Sequence, residues 1–363
     1  MAKRVGVDKW LYCATLILVV IGLAMVFSAS AVMAKERFTS PYYFVIRQAI
    51  WAAAGLATMT LLMQIDYRKY NKPNIIFPVV AVTVIMLMAA FLMRDSHNTH
   101  RWIRFGAFSL QPSELAKPAL VFFLAWFLQN RMHTIDDWRR TVIPAVLPSL
   151  VFILLILKEP DLGTAMVCAG VTALMLYLAG MEMKYLGYGL LASIPVLYLM
   201  LFRVKWRRDR MLAFINPESD PLGKGFHIIQ SLIAVGTGGV RGLGYMEGRQ
   251  KLFYLPEPHT DYIFANVSEE LGLIGAIIVV GLFLVLGYRG MRAAILSKDP
   301  FARFLAFGIT ATILIQAFFN ISVVLALVPT KGITLPFISY GGTSLFIMLA
   351  CIGVLLNITR EID

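Results

Sequence analysis

The chain has 363 residues, 59% of them hydrophobic and only 15% charged. A soluble domain is about 45–50% apolar, so an ordinary soluble globular fold is excluded and an integral membrane protein is expected. The net charge of +12 would suggest nucleic acid in a soluble protein. Here the basic residues fall in loops between apolar runs, which points to lipid headgroups or an anionic lipid substrate and not to nucleic acid.

Ten spans can be drawn in chain order, near 10–33, 44–64, 74–93, 113–129, 141–157, 162–180, 184–202, 262–287, 302–327 and 335–358. Each approaches the roughly 20 apolar residues that cross a bilayer. The expected fold is an all-α polytopic membrane protein, a single unit over residues 1–363. Residues 203–261 form a large extracytoplasmic loop between the seventh and eighth spans. The basic run of Lys3, Arg4 and Lys9 precedes a first span too long for a signal-peptide core. The basic residues of the short loops gather on the side of both termini, which is therefore read as cytoplasmic. The three cysteines, Cys13, Cys168 and Cys351, lie inside apolar runs and form no disulfide framework. No His/Cys cluster has zinc-ligand spacing.

The opposite side is also basic, with Arg94, Arg101 and Arg104 in one loop, Lys158 in a short one, and nine more Lys or Arg between 203 and 261. Contact with headgroups is one explanation. A pocket for a diphosphate-bearing lipid is the sharper one.

Five stretches on that side could carry chemistry. In Gln111–Lys117, Glu114 and Lys117 stand three apart on one helix face. They form either a structural ion pair or a polar pocket in which Lys117 meets a phosphate. In Lys158–Thr164, Asp161 can cap the next helix, while Lys158, Glu159 and Asp161 crowd one tight turn. Trp206–Pro217 mixes basic and apolar residues as an interfacial amphipathic helix does. Gly236–Gly244 is glycine-rich and can offer backbone N–H groups to phosphate, a weak signal alone. Val328–Ser344 carries Lys331, two prolines and paired glycines, which predicts irregular backbone buried in protein or lining a wet cavity.

The sixth stretch, Leu255–Gly272, organises the others. Pro256 and Pro258 stiffen the approach to an apolar helix. Thr260 or Asp261 is expected to cap that helix. Asp261, Glu269 and Glu270 are ionisable groups at or inside a membrane helix, and such groups are functional candidates. A carboxylate base among basic groups suits glycosyl transfer from a lipid-diphospho-sugar.

The motifs Gln111–Lys117, Gly238–Gly244, Gln250–Leu252, Leu255–Gly272 and Leu335–Gly342 together resemble the SEDS family (shape, elongation, division and sporulation). These are polytopic glycosyltransferases that polymerise peptidoglycan from lipid II. Pro329–Pro336, Gln230–Ala234 and Leu255–Asp261 look more like the division branch than the elongation branch. The resemblance implies Asp261 as the catalytic base, acting on the 4-hydroxyl of an incoming lipid II, with undecaprenyl diphosphate leaving from the growing glycan. Arg101, Arg104, Glu114, Lys117, Lys158, Asp161 and Lys331 are the expected substrate-binding residues. A divalent ion on the diphosphate is left open, since no dedicated site is readable. The family further implies a bacterial cytoplasmic-membrane protein at the septum, with a class B penicillin-binding protein and other division proteins as partners. The rival readings are a lipid II flippase, which needs a polar route past Glu269 and Glu270, a non-enzymatic division scaffold, and an elongation-type polymerase.

Overall fold

The computed structural model describes residues 6–92, 101–105, 108–135, 137–252, 254–330 and 332–361. Twelve α-helices and one hairpin occur in the order α1 (Lys9–Phe38), α2 (Tyr43–Leu62), α3 (Pro73–Ala90), β1 (Ile103–Phe105), β2 (Phe108–Leu110), α4 (Pro112–Gln129), α5 (Ile143–Lys158), α6 (Leu162–Leu178), α7 (Met183–Phe202), α8 (Lys205–Ile215), α9 (Phe226–Gly238), α10 (Ile263–Leu296), α11 (Pro300–Val324) and α12 (Gly342–Thr359).

A helix occupies each of the ten expected positions. Seven of the described helices are long and apolar enough to cross a bilayer, namely α1, α2, α3, α5 with its preceding turn from Arg139, α10, α11 and α12. The other three are α4, which holds a buried Glu–Lys pair in its first turns, the 17-residue α6, and α7. This is a multi-pass helical membrane protein. In hydrocarbon every backbone polar group needs an internal partner, and helices supply it.

The central helices are α11 and α12, whose side chains are mostly buried. Helix α11 packs on α10, α4 and α6; α12 packs along α2; and α1 lies against α10. By contrast, α7 sits at the periphery, with none of its described residues buried. The N-terminal end of α1 and the C-terminal end of α12 lie at one end of the bundle. There Tyr67 N–H donates to Asn357 Oδ1 at 2.9 Å, and Arg289 pairs with Asp8 at 2.5 Å. Further along, Ser28 of α1 donates to Glu270 of α10 at 2.7 Å, and Lys251, from the loop before α10, forms a buried ion pair with the same Glu270 at 2.7 Å.

The helix boundaries differ from the sequence expectation in two informative places. The last span begins at Gly342, not 335, because Leu335–Gly341 is irregular. Its backbone is satisfied by side chains instead: Leu335 N–H donates to Ser339 Oγ at 2.7 Å, Gly341 N–H to Gln48 Oε1 at 3.2 Å, and Gln48 Nε2 to Ser339 O at 3.0 Å. Helix α10 contains a break at Gly272, whose φ of 66° and ψ of −164° lie outside the helical region. Only glycine adopts such a conformation without strain.

Candidate functional site

A cavity of about 250 Å³ opens beside the first residues of α4, α6, α10 and α12. Arg101, Glu114, Asp161 and Asp261, all expected from sequence, line it. Thr260, Gln316, Gly332, Thr334 and Tyr340 complete the inner wall.

Asp261 is half-buried at the start of α10. It does not cap the helix, contrary to expectation: Tyr262 is the N-cap residue and no side chain accepts from the first turn. The Asp261 carboxylate is therefore not consumed by the backbone. Its main-chain carbonyl accepts from Asn320 Nδ2 at 2.8 Å, and the same nitrogen donates to Ile333 O at 2.6 Å. One amide of α11 thus ties the residue to the irregular segment before α12. On the other side Ser339 Oγ donates to Thr260 O at 2.6 Å and Tyr340 N–H to His259 O at 2.8 Å. Gly332 comes so close that a Cβ there would lie 2.7 Å from Asp261 Oδ2.

Burial pushes the Asp261 carboxyl up to about 7, reinforced by the nearby Glu257 and less strongly by Asp161, and opposed by Arg101 and less strongly by Arg210. Desolvation disfavours the charged form of a carboxylate, and neighbouring carboxylates do the same. Arg101 is fixed by the turn after α5, its Nε donating to Glu159 O at 2.8 Å and Nη2 to Pro160 O at 2.5 Å. In that turn Glu159 is fully buried, and neither carboxylate oxygen has a hydrogen-bond partner among the described residues. Burial and the Asp161 charge raise Glu159 to about 8, with Arg101 opposing. His259 is also buried, packed against Phe44 and Tyr340, and burial lowers it to about 4, so it is neutral at pH 7.

Other predicted residues take different places. Asp161 caps α6, accepting from Thr164 N at 3.1 Å and from Thr164 Oγ1 at 2.8 Å. Lys117 is sealed at 3% exposure, its ammonium held by Glu114 Oε2 at 2.9 Å and Gln316 Oε1 at 2.5 Å. The ion-pair reading of Glu114 and Lys117 describes this geometry, with Glu114 reaching the cavity wall and Lys117 behind it. Lys158 is exposed and is absent from the cavity lining. Lys331 and the side chain of Arg104 lie outside the described residues.

The Gly236–Gly244 stretch uses several of its backbone groups on α10. Leu243 N–H donates to Glu269 O and Gly244 N–H to Glu270 O, both at 3.0 Å, while Gly239 O accepts from Leu273 N–H at 2.9 Å. These bonds fill the α10 break, so Leu243 and Gly244 N–H are spent on the protein. The Trp206–Pro217 stretch is helical as far as Ile215, in α8, but its apolar residues do not gather on one face as an amphipathic helix requires. Sequence reasoning missed Gln316 and Asn320. They stand four apart on one face of an otherwise apolar helix, and both are 1% exposed. That spacing of polar groups within a membrane span was the available signal.

Among the described residues no group of three or more His, Cys, Asp or Glu is gathered as a metal site requires. Helices long and apolar enough to cross a bilayer, surrounding a recessed carboxylate with a guanidinium close by, define a multi-pass membrane protein with a candidate acid–base site. The FtsW/RodA/SpoVE cell cycle protein model matches residues 9–363, and the chain belongs to that family. It is 44% identical over 343 residues to the probable peptidoglycan glycosyltransferase FtsW of Geobacter metallireducens, covering 94% of this chain and 91% of that one. To stage V sporulation protein E of Bacillus subtilis it is 42% identical over 363 residues, covering 99% and 98%. Among solved structures it matches a chain described under "Structural coordination of polymerization and crosslinking by a peptidoglycan synthase complex", with a TM-score of 0.80, 26% identity and 99% coverage of both chains. Rod shape determining protein RodA of Thermus thermophilus matches with a TM-score of 0.72 at 24% identity and 98% coverage of both, a likeness of fold.

Proposed function

We propose that this chain is a peptidoglycan glycosyltransferase that polymerises lipid II, with Asp261 as the general base. The observation that carries the assignment is the Asp261 carboxylate, uncapped, facing a cavity, and raised to about 7 by burial. A general base works best with a pKa near the operating pH. Asp261 takes the proton of the GlcNAc 4-hydroxyl. That oxygen bonds to the anomeric carbon of the growing strand's terminal MurNAc, and undecaprenyl diphosphate departs with the electron pair of the broken bond. Arg101 meets the developing negative charge of the diphosphate, held in place by two carbonyls and so needing no reorganisation.

The names of the FtsW relatives support this activity and a role in septal wall synthesis. The synthase complex among the structural relatives supports a crosslinking partner, which we assign to the class B penicillin-binding proteins. The short-loop basic residues support a cytoplasmic-membrane location with both termini cytoplasmic and residues 203–261 outside. The flippase reading needs polar groups along a path below Asp261. Glu269 and Glu270 are instead buried against the loop that returns to Asp261.

The test is glycan-strand synthesis by the purified chain from lipid II, followed on gels across pH. Asp261 accepts a proton only when ionised, so turnover rises with pH through about 7 and then levels, falling about tenfold per pH unit well below that midpoint. Arg101 stabilises the ionised form, so Arg101→Gln moves the midpoint to higher pH. Glu257 opposes ionisation, so Glu257→Gln moves it lower. A pH profile flat between about 5 and 8 contradicts the base assignment.

A further inference from the structure

Two adjacent acids on α10, Glu269 and Glu270, are each 1% exposed and do not line the Asp261 cavity. Both are fully engaged with one short piece of the loop. Glu270 accepts from Lys251 Nζ at 2.7 Å, Ser28 Oγ at 2.7 Å and Met246 N–H at 2.9 Å. Glu269 accepts from Arg249 N–H at 2.9 Å and Gln250 N–H at 3.2 Å. Lys251 also donates to Ser28 Oγ at 2.9 Å and is 5% exposed. Space at the contact is tight, since a Cβ on Gly248 would lie 2.9 Å from both carboxylates.

The chain path gives this cluster its meaning. Asp261 lies ten residues after Lys251 and nine before Glu270. The ion pair therefore closes a ring of chain with Asp261 at its tip. One arm carries Pro256 and Pro258, which restrict its backbone. The other arm is the upper piece of α10, Ile263 to Leu271, which the Gly272 break separates from the rest of the helix. The Gly239–Gly244 loop bonds to both sides of that break: Glu269 O and Glu270 O accept above it, and Leu273 and Ile274 donate below it. The base of the ring is fastened to α1 by Ser28, and the loop just before it by Tyr245, whose hydroxyl donates to Ala24 O at 2.9 Å.

We infer that Glu269, Glu270 and Lys251 are positioning residues for Asp261, a clamp at the base of the ring that sets where its carboxylate stands in the cavity. The inference rests on the reading of Asp261 as the base. Displacing a reacting group by about 1 Å can cost about 10²-fold in rate, so loosening the base of the ring lowers turnover without touching substrate.

The experiment uses the full chain and lipid II. It compares Lys251→Met with the double variant Lys251→Met/Glu270→Gln, and with Asp261→Asn as a separate arm. Lys251→Met leaves Glu270 buried without its counter-charge, whereas the double variant removes that unpaired charge as well. Lys251→Met is expected to lower kcat about tenfold or more, with KM within about threefold of the parent. Amide hydrogen exchange should rise in residues 245–262 while the rest of the chain keeps its protection. The double variant should regain part of both kcat and protection, a non-additivity that marks coupled residues. Parental kcat with raised exchange in 245–262 overturns the inference, because the ring would then be loose without consequence. A rise in KM alone also overturns it, as does exchange raised through the whole chain, which would make the pair a brace of the entire fold. If Asp261→Asn still makes strands, the base reading fails by itself, and the clamp is judged on the exchange and turnover of the other two variants.

Discussion

Asp261→Asn abolishes strand synthesis, with a loss of about 10²–10⁴-fold or more in turnover, the range over which a positioned proton acceptor contributes. Asparagine has nearly the same shape and cannot take a proton in the working pH range. The contact that holds this residue uses its main-chain carbonyl, from Asn320 Nδ2, so the substitution leaves that anchor in place. The fold therefore persists, and thermal unfolding in detergent should match the parent within a few degrees, about what 1 kcal/mol represents in a chain of this size. The Asn variant also lacks the ionisable group, so whatever activity remains is flat through pH 7. Gel analysis of lipid II products measures both outcomes, and strands formed at the parental rate would remove Asp261 from the chemistry.

Gly332→Ala is the second large effect, about 10²-fold in kcat with KM little changed. The added methyl lies 2.7 Å from Asp261 Oδ2, closer than carbon and oxygen approach. Something must shift. The backbone of Gly332 is held through its neighbour Ile333, whose carbonyl is bonded to Asn320, so the carboxylate turns aside instead. A glycine with room around it provides the control. Nothing lies within 4 Å of a Cβ on Gly281 in α10, and Gly281→Ala should retain parental turnover. Equal rates for both variants would show that the carboxylate tolerates displacement and that the close approach of Gly332 is incidental.

The ten helical positions were legible because apolar runs stand out from the polar loops between them, and seven of the described helices are long and apolar enough to cross a bilayer. Asp261 was legible as a polar residue at the mouth of such a run. What was not legible was what the loop does after it leaves the helices. Glu269 and Glu270 sit in the sequence as charges inside a span and suggest a polar path. Their partners Met246, Arg249, Gln250 and Lys251 lie about twenty residues away and are brought back by a fold that no local pattern encodes. The break at Gly272 hides for the same reason, since one glycine in an apolar helix is unremarkable until another segment is seen to occupy it. Lys117 shows the opposite case. Its spacing from Glu114 foretold the pair, but only packing could show that Gln316 closes the ammonium off from the cavity.

Two polar contacts tie the start and the middle of α1 to α10, the Asp8–Arg289 ion pair and the Ser28–Glu270 hydrogen bond that Lys251 joins. Asp8 and Ser28 are 20 residues apart, about 30 Å at helical rise, and their partners Arg289 and Glu270 are 19 residues apart on α10. That separation equals one hydrocarbon core. In a bilayer of that thickness both polar rungs lie at its edges. A thicker bilayer draws lipid tails toward a charged pair, and a thinner one tilts the two helices together or stretches the lipids around them. The spacing of the two contacts thus matches one hydrocarbon thickness, and the contact nearer Asp261 is the one built on Lys251.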